Sequence, residues 1–189
     1  FNVAAFGICG YECNLVDMSR AERSEIKTQI DIYKKWRHAM QFGSFYRQRT
    51  GNIHQWTVVD EEAGRAAGLI MQELVRANTQ NEEYYAAGLD PEAVYSFYNR
   101  PLKHNVKEFG DLINTVAPIH IRQGSLLHGM VAKFVTMPGE TEMYELSGSM
   151  LMNCGVRLKQ AFAATGFSEE VRHFPDFASR LYFMEKISD

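Results

Sequence analysis

The residues that could do chemistry in this sequence do not form a recognisable catalytic arrangement. Cys9 and Cys13 lie four positions apart, but no nearby histidine or second cysteine pair completes the four ligands of a structural zinc site. His38, His120 and His128 are too widely spread for a Ser–His–Asp or Cys–His arrangement to be read from spacing. A Gly-x-Ser-x-Gly motif is absent from the sequence. We therefore predict reduced, structural cysteines and no bound metal.

The composition argues against several classes of partner. Of the 189 residues, 46% are hydrophobic and 23% are charged, and the formal net charge is −3. No basic stripe or arginine-rich run is present, so we expect neither nucleic acid nor an anionic membrane surface as a partner. No apolar run approaches the roughly 20 residues that span a bilayer. Three cysteines are an odd and sparse set, which argues against a disulfide scaffold and favours a reducing compartment.

The elements that must position any site begin with residues 1–41, which carry the pattern of one β/α unit. Phe1–Ala5 read as a buried strand rather than a signal peptide, because no basic residue precedes the apolar stretch. Ser19 supplies an N-cap, Glu22 completes a capping box, and Gly43 stops a helix that reaches about residue 41. The helix carries four apolar side chains at helical spacing: Ile26, Ile30, Tyr33 and Met40.

This β/α unit cannot cover its own strand. Such a strand belongs to a parallel sheet with both faces covered, so a larger sheet outside this chain is implied. The four apolar side chains of the helix should then pack on neighbours outside the chain. We expect them to be exposed in the chain alone.

Residues 42–189 show the short runs and frequent turn signals of an antiparallel β-domain of sandwich type. A helical insertion at about 107–136 interrupts the pattern. Within it, apolar residues pair at intervals of four after a cap at Ser125, which favours a helix, although a strand remains possible. Met137–Glu140 are predicted to form a turn.

The closing strand of this domain predicts which side chains share a face. Leu181 and Phe183 should point one way, and Tyr182 and Met184 the other, because strand side chains alternate. In a two-layer domain we expect only one of these pairs to be central.

A set of aromatic residues allows two interpretations. The side chains could form a platform on which sugars stack, or they could fill the core, which is the more common use of aromatics on alternating strand positions. The set comprises Trp36, Trp56, Tyr84, Tyr85, Tyr95 and Tyr98.

Four segments in the same order carry a family resemblance. They are FGICGYECNLVDMS at 6–19, QFGSFYR at 41–47, GLDPEAVYSF at 88–97 and FPDFASRLYFMEKI at 174–187. Together they resemble the C-terminal part of bacterial α-galactosidases of glycoside hydrolase family 36. The resemblance implies that residues 1–41 are the last strand and helix of a catalytic (β/α)₈ barrel. It implies that residues 42–189 are the C-terminal β-sandwich, with the helical insertion at about 107–136.

The resemblance also implies an activity, retaining hydrolysis of terminal α-linked galactose, as in melibiose and raffinose. Retention requires two carboxyl groups about 5 Å apart, one a nucleophile and one an acid/base. The family places its nucleophile in a Lys-aromatic-Asp setting and its acid/base after a glycine-rich segment. No aspartate of this chain stands in either context: the seven are Asp17, Asp31, Asp60, Asp90, Asp111, Asp176 and Asp189. We therefore expect a non-catalytic portion of the enzyme that is inactive alone.

The resemblance places Gly7, Tyr11 and Glu12 in the loop after the last barrel strand, on the face where barrel enzymes carry their sites. We predict that they lie next to the substrate, although Tyr11 could simply pack and Glu12 could cap or pair with a neighbour. The expected partners are the remainder of the barrel, galactosides and further copies of the enzyme. No metal or redox cofactor is expected, and the expected location is the bacterial cytoplasm. The alternative is a stand-alone carbohydrate-binding or scaffold module.

Overall fold

The computed structural model describes residues 1–75, 82–105, 114, 119–122, 124–159 and 176–187. These residues form mainly antiparallel β-structure with few helices. Two short 3₁₀ turns, Ala4–Phe6 and Leu15–Asp17, precede the first helix. The remaining elements in chain order are α1 (Arg20–Phe42), β1 (Ser44–Thr50), β2 (Ile53–Asp60), β3 (Arg65–Gln72), β4 (Glu83–Tyr84), β5 (Val94–Asn99), β6 (Lys103–Asn105), α2 (Leu126–Phe134), β7 (Thr136–Pro138), β8 (Met143–Ser147), α3 (Gly148–Asn153), β9 (Val156–Arg157) and β10 (Ser179–Lys186).

Six strands form one antiparallel sheet in the order β1-β2-β3-β10-β5-β8. The first three strands are consecutive, as tight turns allow. The closing strand β10 then inserts between β3 and β5, pairing Leu181 with Leu69 and Phe183 with Tyr98. Two short ribbons, β4–β9 and β6–β7, complete the β-structure of the described residues. The C-terminal strand therefore holds the two halves of the sheet together.

Both faces of the sheet are covered. One face packs under β4, β9 and α3, and the other packs under α1 and the N-terminal segment. The side chains of β10 alternate as predicted: Tyr182 and Met184 enter the first core, and Leu181 and Phe183 enter the second. All four are at most 2% exposed, so the expectation that only one pair is central is wrong. The reason is α1, which buries the second face, with Trp36 stacked on Phe183 at 4.6 Å.

The layer opposite α1 is not a second broad sheet in the described part of the chain. The two-residue strand β4 is held over β2 by the amide of Gln55, which donates to Glu83 O at 2.8 Å and accepts from Tyr85 N at 2.8 Å. The buried Tyr84 hydroxyl completes the attachment, with Thr57 Oγ1 at 2.8 Å. Side-chain hydrogen bonds thus satisfy backbone groups that a longer strand would pair within a sheet.

Helix α1 begins and ends as predicted. Ser19 N donates to Glu22 Oε2 at 2.7 Å, and Glu22 N donates to Ser19 Oγ at 3.2 Å, which is the predicted capping box. Gly43 ends the helix, but its φ of −70° is open to any residue. A Cβ there would lie 2.5 Å from both Ala39 O and Val59 O, so glycine permits the close approach of α1 to β2.

The predicted strand at the start of the chain is wrong. Residues Ala4–Phe6 form a 3₁₀ turn, with Ala5 N donating to Phe1 O at 2.9 Å and Gly7 N donating to Ala4 O at 3.1 Å. A parallel strand needs hydrogen-bonding neighbours, and the residues described here offer none beside this segment. The backbone N–H and C=O groups of this segment therefore form local turn hydrogen bonds. The predicted barrel strand is not present in this segment.

The expected exposure of the apolar face of α1 is also wrong in part. Met40 is buried against the sheet of its own chain, while Ile26, Ile30 and Tyr33 are half-buried. The C-terminal half of α1 packs on the sheet core through Trp36 and Met40, and Phe1, Ala5 and Phe6 join the same cluster. Within the described chain, no helix is long and apolar enough to cross a membrane.

The helix predicted after Ser125 is confirmed, whereas the insertion at about 107–136 as a whole stays a prediction. α2 is a helix whose cap is Ser125, with its Oγ accepting from His128 N at 3.1 Å. The predicted turn at Met137–Glu140 is wrong, because Thr136–Pro138 form β7 and pair with β6. Residues 107–113, 115–118 and 123 of the predicted insertion lie outside the described residues, as do Asp111 and Asp189.

Candidate functional site

The loop that carries Gly7, Tyr11 and Glu12, residues 7–18, lies against the N-terminal and middle turns of α1. Tyr33 Oη donates to Gly7 O at 3.0 Å and accepts from Cys9 N at 3.3 Å. The Tyr11 hydroxyl donates to the side chain of Gln29, one turn earlier on the same helix face. Burial raises the pKa of Tyr11. The structure thus brings Gly7 and Tyr11 to neighbouring positions on α1, where one helix face fixes them both.

Glu12 is exposed and does not share these contacts. The loop also exposes apolar side chains: Ile8 is 97% exposed, Val16 83% and Leu15 49%. These three apolar side chains are in contact with water in this chain.

Arg100, which the sequence analysis did not single out, holds the N-terminal segment to the sheet. Its guanidinium is buried, donates to Asn2 Oδ1 at 3.1 Å and pairs with the carboxylate of Glu25. The same group lies over the ring of Phe1 at 5.0 Å, while Arg100 N donates to Leu181 O at 2.8 Å. One residue therefore joins the chain start, α1 and β10. The sequence signal is only an arginine between the end of a strand and Pro101.

The described aspartates are mostly engaged in turns and ion pairs. Asp17 accepts from Asn14 at 2.7 Å, Asp176 accepts from Val75 N at 2.6 Å, and Asp90 pairs with Lys186 at 3.0 Å. These contacts favour a structural over a catalytic interpretation of these carboxylates. The expectation that the chain carries no catalytic residue stays a prediction.

Asp60 differs from these aspartates because its side chain is buried. Its Oδ2 lies 2.7 Å from Nδ1 of the exposed His38, and its Oδ1 accepts from Ala63 N at 3.1 Å. Burial alone would raise the pKa of Asp60, but the hydrogen bonds from His38 and the Ala63 N–H outweigh it and hold that pKa below its ordinary value. A carboxylate that orients an imidazole is half of a general-base arrangement. Here the pair joins the end of α1 to the end of β2, which favours a structural role.

Glu142 is a second buried carboxyl group. Its N–H donates to Asn99 Oδ1 at 2.9 Å, and its carboxylate accepts from Lys159 N. Burial raises the pKa of Glu142, as it does for carboxyl groups that act as acids. The contacts tie the start of β8 to β5 and to the segment after β9, so we interpret this residue as structural.

Three of the six aromatic residues that could form a platform lie in the core, and Trp56, Tyr85 and Tyr98 are half-buried. Trp36, Tyr84 and Tyr95 are buried, and Tyr84 stacks with Tyr182 at 5.7 Å between ring centroids. No three His, Cys, Asp or Glu side chains converge on a possible metal position among the residues that the structure describes. The predicted absence of a metal stays a prediction for the whole protein.

Comparison with known proteins gives the family. The family model for the glycosyl hydrolase family 36 C-terminal domain matches residues 53–184, which is more than half of the chain. The chain belongs to glycoside hydrolase family 36. Alpha-galactosidase Mel36A from Lactobacillus acidophilus is 34% identical over 95 residues, and these cover 49% of this chain and 13% of that protein. Alpha-galactosidase AgaA from Geobacillus stearothermophilus is 31% identical over 97 residues, or 50% of this chain and 13% of that protein.

Solved structures share the fold over a longer stretch. The α-galactosidase from Lactobacillus brevis superposes on 99% of this chain and 19% of its own, with a TM-score of 0.63 and 24% identity. A variant of the family 36 enzyme AgaA, solved in complex with raffinose, covers 98% of this chain and 19% of its own, with a TM-score of 0.63 and 20% identity. This family 36 chain therefore spans about a fifth or less of the length of these relatives. The segment around Arg100 and α1 belongs to the shared fold.

Proposed function

We propose that this chain is the C-terminal, non-catalytic portion of a retaining α-galactosidase that releases terminal α-linked galactose from melibiose- and raffinose-type oligosaccharides. The match to the family 36 C-terminal domain carries the proposal. Two further observations support it: the curated relatives are named α-galactosidases, and one structural neighbour was solved with raffinose. The chemistry would come from two carboxyl groups elsewhere in the enzyme.

In this proposal the partner is the remainder of the catalytic barrel. The exposed apolar loop containing Ile8, Leu15 and Val16 is the surface that would meet it, since water contact with these side chains is unfavourable. Gly7, Tyr11 and Glu12 would then approach the substrate from the same loop, shaping the pocket without taking part in bond cleavage. A homo-oligomeric enzyme in the bacterial cytoplasm, without metal or redox cofactor, completes the proposal.

The experiment that tests the non-catalytic role measures turnover of p-nitrophenyl α-galactoside by the purified 189-residue chain. We expect none, because an oxocarbenium-like transition state would lack both a nucleophile and a proton donor. Asp60→Asn and Glu142→Gln variants guard against contamination, since these residues are the buried carboxyl groups of the described chain. Turnover that disappears in either variant would show that the chain itself carries the chemistry.

The alternative, a stand-alone carbohydrate-binding or scaffold module, predicts different neighbours in the gene. The sequence encoded upstream of Phe1 distinguishes the enzyme portion from the stand-alone module. A Lys-aromatic-Asp segment there supports the enzyme portion, whereas a signal peptide directly before this domain supports the module.

A further inference from the structure

A solvent-open cleft of about 390 Å³ lies at the end of the sheet where β2 turns into β3. Its walls come from that turn, from the loop before β5, from β5 itself and from the end of β10. The residues that matter to the argument are Val59, Gly64, Gly88, Leu89, Asp90, Tyr95 and Lys186. The volume is within the range of small-molecule sites, roughly 300–1,000 Å³. No part of the proposed α-galactosidase function uses this cleft.

Donor and acceptor groups alternate on one wall of the cleft. Lys186 Nζ lies 3.0 Å from Asp90 Oδ2, and both side chains are about half exposed. The hydroxyl of Tyr95, a residue only 4% exposed, accepts from Asp90 N at 3.2 Å. The proton of that hydroxyl has no acceptor among the described residues, so it can be donated to a ligand oxygen.

The remaining lining is apolar or lacks side chains. Val59 and Leu89 are buried beside the polar wall, and Gly64 and Gly88 both have positive φ. A Cβ on Gly88 would lie 2.3 Å from the ring of Tyr46, so the backbone there sits directly against an aromatic ring. Such a lining accommodates the C–H face of a flat, compact ligand beside the polar wall.

The charges around the cleft decide the ligand class. The lining carries three carboxylates, Asp60, Glu61 and Asp90, and two cationic side chains, Arg65 and Lys186, so the charges do not favour a phosphate. Asp60 is turned to His38 and does not join Asp90 in a cation site. A hydroxyl group both donates and accepts, so neighbouring hydroxyls match the alternation of Asp90, Lys186 and Tyr95.

We propose that this cleft is an accessory binding site for a neutral sugar, which Asp90, Lys186 and Tyr95 hold through neighbouring hydroxyl groups. The site goes beyond the proposed function, since it belongs to this chain and needs no catalytic barrel. It differs from the aromatic platform considered from the sequence, because polar groups recognise the sugar and Tyr95 is the one member of that aromatic set among the described lining residues.

The test follows backbone amide NMR signals of the ¹⁵N-labelled 189-residue chain while melibiose, raffinose or glucose is added. We expect saturable shifts centred on Gly64, Gly88 and Asp90 for at least one of these sugars, with a dissociation constant of about 1 mM or tighter. Asp90→Asn and Lys186→Met should each weaken binding about tenfold or more, which is about 1.4 kcal/mol. Both side chains are half exposed, so both variants should fold.

The matched control is Glu73→Gln, which alters another surface ion pair at the opposite end of β2 and should leave sugar binding unchanged. Inorganic phosphate is the competing probe. The proposal is overturned if none of the three sugars gives saturable shifts at roughly ten times that concentration. Shifts at Gly64 and Gly88 with phosphate alone, or sugar binding that survives both cleft variants, would overturn it equally.

Discussion

At the residue scale, two charged side chains fix parts of the chain that are far apart in sequence. Arg100 is buried and contacts Asn2, 98 positions away, and Glu25, 75 positions away. Asp60 is buried and joins β2 to α1 through His38. Buried charges are costly unless they are paired and hydrogen-bonded, so each of these contacts should be visible in the stability of the protein.

Replacing Arg100 with methionine should loosen the N-terminal segment. The variant loses the bonds to Asn2 and Glu25, but the Glu25 carboxylate is 53% exposed and can be rehydrated. We therefore expect a loss of about 1–3 kcal/mol in the free energy of unfolding, measured from urea titrations followed by tryptophan fluorescence. Arg49→Met removes an exposed pair with Glu73 and should cost about 0–1 kcal/mol. Equal losses for the two variants would contradict the role given to Arg100.

The Asp60–His38 pair predicts a pH dependence. Because the pKa of Asp60 is lower in the folded chain than its ordinary value of 3.8, the unfolded chain takes up a proton first as the pH falls. The stability that ionised Asp60 contributes is therefore present at pH 7 and is lost as the pH falls through its folded pKa. Asp60→Asn should be less stable than the parent at pH 7, by about 1–2 kcal/mol, and the difference should shrink at about pH 3.

Urea midpoints of both proteins at the two pH values measure this effect. Asp31→Asn, on the exposed side of α1, is the control and should match the parent at both. A difference between Asp60→Asn and the parent that grows as the pH falls would refute the assignment.

At the scale of secondary-structure elements, β10 is central to the fold. It pairs with β3 and β5, and its side chains pack into both cores. Leu181→Ala should cost about 2–5 kcal/mol and Tyr182→Ala about 3–5 kcal/mol, since each opens a cavity on one of the two faces. Met143→Ala, on the exposed face of the edge strand β8, should change stability by no more than about 0.5 kcal/mol. A large loss in only one of the two β10 variants would mean that one face is peripheral after all.

The elements also show what the sequence could predict. The capping box of Ser19 and Glu22 was readable because its partners lie three positions apart, and the alternation along β10 was readable because it depends on strand geometry alone. The 3₁₀ turn at Ala4–Phe6 was not readable, because strand pairing depends on neighbours that the pattern does not reveal. Burial of Leu181 and Phe183 depends on where α1 packs, which is likewise a long-range property.

The candidate site was predictable to a smaller extent. The resemblance located the loop with Gly7 and Tyr11. In the structure, both residues are hydrogen-bonded to side chains of α1. The sequence did not indicate the role of Arg100, because its partners are distant in sequence. An arginine at the end of a strand is also too common to predict a buried ion pair. The cleft at Asp90 and Lys186 was missed for the same reason: its wall combines residues 96 positions apart.

At the scale of the whole molecule, the chain has two well-filled cores but leaves an apolar loop in water. Ile8 and Val16 are almost fully exposed, while the α-galactosidases that share the fold are about five times longer. Helix α1 packs on the sheet of this chain and so belongs to the same structural unit. The loop is then the contact through which the unit would meet the rest of an enzyme.

In the proposed α-galactosidase, this chain is part of a longer polypeptide. The most direct test of that central claim is the release of galactose from raffinose by the longer polypeptide, measured beside the 189-residue chain. We predict that the longer polypeptide releases galactose with retention of the α-configuration and that the chain alone releases none. Ile8→Ser with Val16→Ser in the longer polypeptide should lower its activity or thermal stability while leaving the fold of the short chain unchanged. A longer polypeptide that releases no galactose, or a short chain that releases it unaided, would contradict the account.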